Sequence, residues 1–287
     1  MTAWVEVSVI VLLVFAIIIP VTFFIGKYRI KLEKATLIKK IVNGSPAKKG
    51  LNVEFKSLNN LPIPVQKYFR YVLTDGLPFI KTTWLQQNGE LKLSPKSKGW
   101  STFKATQIIS QNSVSFLWDA TITVVPPFYV RVMDSLIEAN GAGNVFLMSA
   151  ISIGSDKDKP ELNSGSLYRY LAEATWHPTA LLPQSGVIWE PVDEYKAIAH
   201  FTKFNMPISL EFEFNGIGEI VGIYTEDRYG KFGDKYTQYP WEGRFSDYKE
   251  FNGIKIPTIG EVGWHLPEGW WLFWKGNIVD VNYEFNE

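Results

Sequence analysis

The sequence predicts a mainly β protein, of the β-rich α+β kind. The expected form is a large curved antiparallel sheet, or unclosed half-barrel, with two helices on its concave side and one N-terminal transmembrane helix ahead of it. Three observations carry this expectation. Long stretches between residues 79 and 285 alternate apolar and polar residues with period two. Asn-Gly pairs, favoured at the centre of tight hairpin turns, stand at Asn88-Gly89, Asn140-Gly141, Asn215-Gly216 and Asn252-Gly253. Helical patterns are too few for parallel βαβ units.

The first element is the apolar run from Val7 to Ile25, which carries no charge. As a helix rising about 1.5 Å per residue, it is about as long as a bilayer's hydrocarbon core is thick, and Pro20 is tolerable there. The rival is a cleavable signal peptide, with a positive n-region, a short apolar core and a small-x-small cleavage site. Here Glu6 precedes the run with no Lys or Arg, and Phe23, Phe24, Ile25, Gly26 and Lys27 end it. An uncleaved anchor over residues 1–26 is the better fit. Lys27, Arg29, Lys31, Lys34, Lys39 and Lys40 follow against Glu33. The positive-inside rule then favours a cytoplasmic domain, yet long domains translocate despite such charges, so the side of the membrane stays open. The absence of cysteine fits either compartment.

Residues 27–60 read as a juxtamembrane basic helix and a linker. Ile30, Leu37, Ile38, Ile41 and Val42 are mixed with lysines, as an interfacial helix requires. Asn43-Gly44-Ser45-Pro46 ends that helix, and a linker reaches to about residue 60. The folded domain then occupies 61–287. Val65, Tyr68, Phe69, Val72 and Leu73 form the stripe of an amphipathic helix, with Pro64 in its first turn and Gly76 at its stop. Residues 79–93 read as strand, turn and strand through Asn88-Gly89. Residues 100–110 and 114–125 continue the alternation until Pro126-Pro127. Residues 128–153 form a hairpin turning at Asn140-Gly141, and 154–166 a polar loop. A second helix covers 166–175, with one further turn near 179–183. Strands resume at 186–192, 195–204 and 208–231, the last a hairpin through Asn215-Gly216. Another hairpin, 244–266, turns at Asn252-Gly253, and strands 270–276 and 277–285 close the chain.

Acidic and basic residues balance at 29 each, so no global field recruits nucleic acid. Eleven Trp, thirteen Tyr and nineteen Phe are heavy usage, suited to a cavity wall or simply to a β-rich core. The run Gly269 to Lys275 is open to three readings: a bilayer surface, a ligand hollow, or a strand buried on both faces.

Two resemblances accompany these readings. Asp247-Tyr248, Phe251-Asn252-Gly253, Ile256-Pro257 and the terminal Asn282-Tyr283-Glu284-Phe285 resemble the closing hairpins of the Lol-type lipoprotein carriers. That resemblance implies a half-barrel whose apolar hollow holds an acyl chain. This chain departs from the carriers in having a permanent anchor. Leu61 to Tyr71, Trp118-Asp119-Ala120, Arg169 to Pro183 and Pro240 to Tyr248 resemble an uncharacterised bacterial family of membrane-anchored proteins. This second resemblance implies no activity.

Several constellations are candidates for chemistry. Glu173 and His177 stand four apart at a helix end, where they would share a face as an acid–base pair or as a capped histidine. Asp119 is a third acid–base candidate. Three histidines without cysteine or HExxH spacing make a metal site a poor reading, and no cofactor is called for. Arg244 is placed either to hold a phosphate or carboxylate head, oriented by Glu242 or Asp247, or to pair across the sheet. Trp118, Trp176, Trp189, Trp241 and Trp264 are candidate walls of a hollow. The leading expectation is a single-pass, non-catalytic binding protein for a membrane lipid or other hydrophobic small molecule. The alternatives are an enzyme acting on a membrane-derived substrate through Glu173 and His177, and a membrane-tethered interaction scaffold. No protein partner is identified by the sequence.

Overall fold

The computed structural model describes residues 2–44 and 50–286. Helix α1 (Thr2–Asn43) runs unbroken through the apolar stretch and the basic segment behind it. From Trp4 to Thr22 the described side chains are exposed, and burial begins at Phe23 and Gly26. The helix is long and apolar enough to cross a membrane, which fits anchoring. Residues 45–49 of the expected helix stop and linker lie outside the described residues.

After a 3-10 turn (Phe55–Asn60), α2 (Ile63–Val72) leads into six strands: β1 (Ile80–Leu91), β2 (Ser101–Ser110), β3 (Ser115–Val125), β4 (Phe128–Ile137), β5 (Asn140–Leu147) and β6 (Ile151–Lys157). Helix α3 (Pro160–Glu173) and three 3-10 turns between Ala174 and Ser185 follow. Then come β7 (Val187–Pro191), β8 (Lys196–Lys203), β9 (Met206–Phe214), β10 (Ile220–Thr225), β11 (Tyr229–Phe232), β12 (Lys235–Gln238), β13 (Trp241–Phe251), β14 (Ile254–Leu266) and β15 (Gly269–Phe285). Thirteen strands make one sheet in the order β6-β5-β4-β3-β2-β1-β15-β14-β13-β10-β9-β8-β7, and β11–β12 forms a separate hairpin. The edges β6 and β7 do not pair, so the sheet is unclosed. Helix α3 nevertheless touches β4 and β5 near one edge and β9 near the other. One helix, about 10 Å across, reaches both only if the sheet curls around it.

Periodicity explains how that interior is filled. In β8, Ala197, Ala199 and Phe201 point inward, and in β9 Ile208, Leu210, Phe212 and Phe214 do the same, with charged residues between them. Helix α2 buries Val65, Tyr68, Phe69 and Val72, the stripe expected from sequence. Both helices join one core with β1, β7–β10 and β13–β15. The concave side is therefore largely packed, and Trp176 and Trp189 are part of the packing, each indole N–H bonded to a backbone carbonyl, that of Pro257 or Leu181.

The outer face of β1–β5 receives the second half of α1. Ile30, Leu37, Ile38, Ile41 and Val42 lie against Ile108, Leu117, Met133, Ile137 and Phe146. The pattern expected for a bilayer surface thus meets protein instead. Asp119 on β3 binds the two together: it accepts from Lys34 Nζ at 2.5 Å and from Arg131 Nε and Nη2 at 2.6 and 2.8 Å. At the N-terminal end of this contact, α1 passes so close to the β5–β6 turn that a Cβ at Gly26 would lie 2.3 Å from the Ala150 carbonyl oxygen. Only glycine permits that approach.

Two Asn-Gly signals behave differently from expectation. Asn88-Gly89 lies inside β1, where Gly89 pairs with Phe103 on one side and Gly276 on the other. A Cβ there would meet the Lys275 carbonyl at 2.0 Å, so the glycine serves close strand approach, not a turn. The β4–β5 turn falls at Glu138-Ala139, both with positive φ, and Asn140 and Gly141 begin β5. Asn163 of α3 accepts from the Gly141 N–H at 2.7 Å and holds this register. The turn at Asn252-Gly253 forms as expected, with positive φ at both residues. The two closing strands are a single one, β15, paired with β1 and β14 along its length. The expected loop 154–166 supplies the end of β6 and the start of α3.

Candidate functional site

Strand register builds the site. Trp118, Asp134, Gly143 and Asp156 stand side by side on β3, β4, β5 and β6, on the inner face. With strands about 4.8 Å apart, this places two carboxylates in one row with a side-chain-free gap between them at Gly143. Helix α3 lies over the row. Its Arg169 and Glu173 are four residues apart on one face, and Arg169 Nε donates to Glu173 Oε1 at 2.7 Å while Nη1 donates to Asp134 Oδ2 at 3.0 Å.

Behind Glu173 runs a chain of buried amides. Gln107 Nε2 donates to Glu173 Oε2 at 2.6 Å, Gln87 Nε2 donates to Gln107 Oε1 at 2.9 Å, and Trp118 Nε1 donates to Gln87 Oε1 at 2.8 Å. Each buried polar group of the chain is satisfied, so the network fixes Arg169 in one pose. The guanidinium also sits 5.0 Å from the Phe116 ring centre and 5.2 Å from that of Trp118.

The roof is the β11–β12 hairpin. It leaves β10 on one wing of the sheet and reaches β6 on the other, where Lys231 and Tyr236 bind Asp156 together with Lys159. These bonds, from Lys159 first and then Lys231, hold the Asp156 carboxyl down to about 2, well below its ordinary range. Arg228 precedes the hairpin. Its Nε donates to the Gly165 carbonyl at 3.1 Å, and its guanidinium lies 4.4 Å from the Trp241 ring centre and 4.9 Å from that of Trp264. Desolvation, and then the like charge of Arg169, push its pKa down to about 9, so it remains a cation at neutral pH.

Between these groups is a cavity of about 330 Å³ whose walls include Phe116, Val145, Leu162, Trp264, Arg169 and Arg228. The charges are unequally matched. Arg169 is paired with Asp134 and Glu173, and Lys231 with Asp156. Among the described residues no carboxylate forms an ion pair with Arg228. Nor do the described residues contain a group of three or more His, Asp and Glu side chains placed to hold a metal ion.

The model of a family of unknown function, DUF6920, matches residues 59–283. The chain belongs to this family. The DUF6920 span begins ahead of α2 and ends near the close of β15, so it contains the whole sheet and the cavity but not α1. No curated protein matches the sequence. Among solved structures, a LolA superfamily protein from Nitrosomonas europaea is similar at 10% identity and a TM-score of 0.43, over 81% of this chain and 94% of that one. A beta-barrel-like protein of the family DUF1849 from Brucella abortus is similar at 7% identity and a TM-score of 0.27, over 72% of this chain and 100% of that one.

Within this DUF6920 fold, the residues singled out from sequence divide sharply. Trp264 lines the cavity, while Trp118 and Trp241 give ring faces to Arg169 and Arg228 without being among its walls. Trp176 and Trp189 do not reach the cavity. Arg244 projects from the opposite face of β13, its side chain 63% exposed, and bonds Glu242 at 2.6 Å. Asp247, on the same exposed strand, binds Lys249 and Thr258. The three acid–base candidates are dispersed. Asp119 lies on the outer face, Glu173 in the inner network, and His177 in the core beside Tyr170. The α-helix ends at Glu173, so the four-residue spacing to His177 is not helical. Neither ring nitrogen of His177 has a hydrogen-bond partner. Burial pushes its imidazole down to about 3, the Glu173 carbonyl opposing weakly from outside bonding geometry. Sequence reasoning missed Arg228. The rings that hold it come from β13 and β14, distant in sequence, and no local pattern marks it.

Proposed function

We propose that this chain is a membrane-tethered, non-catalytic binding protein for an amphiphile with an anionic head. The head is received by Arg228, with Arg169 beside it, and an apolar portion lies against Phe116, Val145, Leu162 and Trp264. The observation that carries this reading is Arg228 itself: a desolvated cation, held on two indole faces, bordering a cavity and left without a carboxylate partner. Asp134 and Glu173 act on this charge only through space, without an ion pair, so it is incompletely matched, and an anion from outside offsets the cost of burying it with charge-assisted bonds. A cavity of about 330 Å³ is at the small end of ligand sites, so it accommodates a head and the start of a chain more readily than a whole lipid. The apolar helix α1 supports placement at a membrane, where such amphiphiles are found.

The test is binding of two fluorescent amphiphiles, matched in chain and differing in an anionic or a neutral head, to the full chain in detergent. The expected result is preference for the anionic probe and its loss in Arg228→Met, by about tenfold or more, as for a charge-assisted contact of about 1.5–3 kcal/mol. The neutral probe should be unaffected. Equal binding of the anionic probe by parent and variant contradicts the proposal.

A further inference from the structure

We infer that one end of the half-barrel is a bilayer-contacting rim, in which the turns beside the exit of α1 insert apolar side chains into the same membrane that α1 enters. The inference rests on the tether reading of α1 but not on what occupies the cavity.

The two directions of chain fix which end this is. Helix α1 climbs the outer face from Gly26, against Ala150 in the β5–β6 turn, past Lys34 at Asp119, to Ile41 in the apolar contact with the sheet. Its exposed apolar part, Val7 to Ile25, therefore leaves the sheet at the end where β5 turns into β6. Strand register places at that end, nearest α1, the 92–100 segment after β1, the β3–β4 turn at Pro126-Pro127 and the β14–β15 turn at Pro267-Glu268, and on the other wing the β8–β9 turn and the β10–β13 connection. The β3–β4 and β5–β6 turns are tied together by Met148 N–H to the Tyr129 carbonyl at 3.0 Å and Tyr129 Oη to the Met148 carbonyl at 3.1 Å.

These turns carry the domain's contiguous exposed apolar side chains. Val124, Val125 and Phe128 flank the two prolines, with Val125 62% and Phe128 57% exposed. Ile151 and Ile153 are exposed next to Ala150, and Leu93 and Trp270 on the other two connections nearest α1. Isolated exposed Leu, Ile or Val side chains need no explanation, but a clustered set beside an apolar helix does. The far end also exposes Ile63, Ile217, Val192 and Tyr195, the last two in one turn separated by Asp193 and Glu194. Charge agrees with the assignment. Beside α1, Lys92, Lys96 and Lys98 on the first of these connections and Lys27 and Arg29 on the helix stand against Glu268, while Glu226, Asp227 and Asp234 are confined to the β10–β13 connection of the other wing. A basic collar beside an apolar rim suits an anionic lipid surface. Level is set as well: the apolar run ends at Ile25, one residue before the contact with Ala150, so the rim stands where the hydrocarbon core gives way to headgroups.

The chain contains no cysteine, so single labels can be placed cleanly. An environment-sensitive fluorophore is attached to full-length Val125→Cys, Phe128→Cys, Ile153→Cys, Ile10→Cys and Asn252→Cys in nanodiscs of mixed zwitterionic and anionic lipid, with or without nitroxide-bearing lipids. All five positions are exposed or in a turn, and circular dichroism checks that each variant folds. The expected result is that the labels at 125, 128 and 153 lose most of their emission to the lipid nitroxide, as does the label at 10, while the label at 252 keeps its emission. If the label at 10 is quenched and those at 125, 128 and 153 match the one at 252, the rim is wet and the inference is overturned while the tether survives. If 10 is not quenched, both fall. Rim labels that are blue-shifted but unquenched report contact with protein and also overturn it.

Discussion

The two wings of the sheet share an architecture and differ in what their outer faces do. On β1–β5 the outer row holds Ile108, Leu117 and Met133 around one carboxylate, Asp119, and the second half of α1 covers it. On β8–β10, β13 and β14 the corresponding outer positions hold Lys196–Glu211, His200 between Glu190 and Ser209, and Glu242 between Arg244 and His265, and water covers them. Inward, the first wing carries the polar row of Asp134 and Asp156 beside Gln87 and Gln107, and β8 and β9 carry an apolar one. The outer row alone decides whether a wing binds a helix or faces solvent, because a period-two strand separates its two faces completely.

The largest effect should come from the covered wing. Asp119→Ala leaves Lys34 and Arg131 without their shared carboxylate at an interface where Asp119 is 9% exposed. Allowing for the partial exposure of Lys34, the expected loss is about 2–4 kcal/mol, read by thermal unfolding of the full chain in detergent, with earlier proteolysis around residue 44 as α1 detaches. Acid should reproduce part of this. Burial pushes the Asp119 carboxyl up, but hydrogen bonds from Arg131 and Lys34 more than reverse it and leave its pKa below the ordinary value. Its contribution is therefore complete above about pH 4 and is lost as pH falls through the lower folded-state pKa. The difference between parent and Asp119→Ala should shrink there.

A second, smaller effect tests the inner side of the other wing, where His177 packs on Tyr170, whose ring stacks on Phe201 of β8. An unfolded histidine takes up its proton near about pH 6.5, whereas this one does so only near about 3. The unfolded state thus binds more protons between those values, and stability should decline as pH falls through that window, by about 1.4 kcal/mol per pH unit at most. His177→Leu should flatten this slope in denaturant titrations at successive pH values. An unchanged slope would show that the imidazole is protonated or solvated in the fold.

The smallest effect belongs to the solvent-facing ladder. Arg244→Ala removes an exposed pair and should change stability by less than about 0.5 kcal/mol. A loss comparable to that of Asp119→Ala would mean that something covers this wing as α1 covers the first.

Much of the architecture was legible because it rests on local repetition. Alternation gave the strands, and the Val65, Tyr68, Phe69, Val72 stripe gave α2. The failures have one cause, that a local signal has several tertiary uses. Gly89 follows an asparagine as a turn glycine does, but is required where β15 approaches closely. Ile30, Leu37 and Ile41 among lysines fit a bilayer surface and a sheet face equally well, and only the long-range partners decide. At the candidate site, the indoles of Trp118, Trp241 and Trp264 were visible as large rings, and Glu173 was singled out but paired with His177 instead of Arg169. Arg228 was not, because its meaning comes from rings and a cavity supplied by other strands.

The proposed role of Arg228, to receive the head of an anionic amphiphile, has a direct readout. Native mass spectrometry of the full chain, released from nanodiscs of mixed lipid, tests it most directly. The parent chain should retain an anionic amphiphile that is absent from Arg228→Met and still present on Arg244→Ala. A parent chain that emerges with nothing bound, or one whose bound lipid is the same in all three proteins, would contradict it.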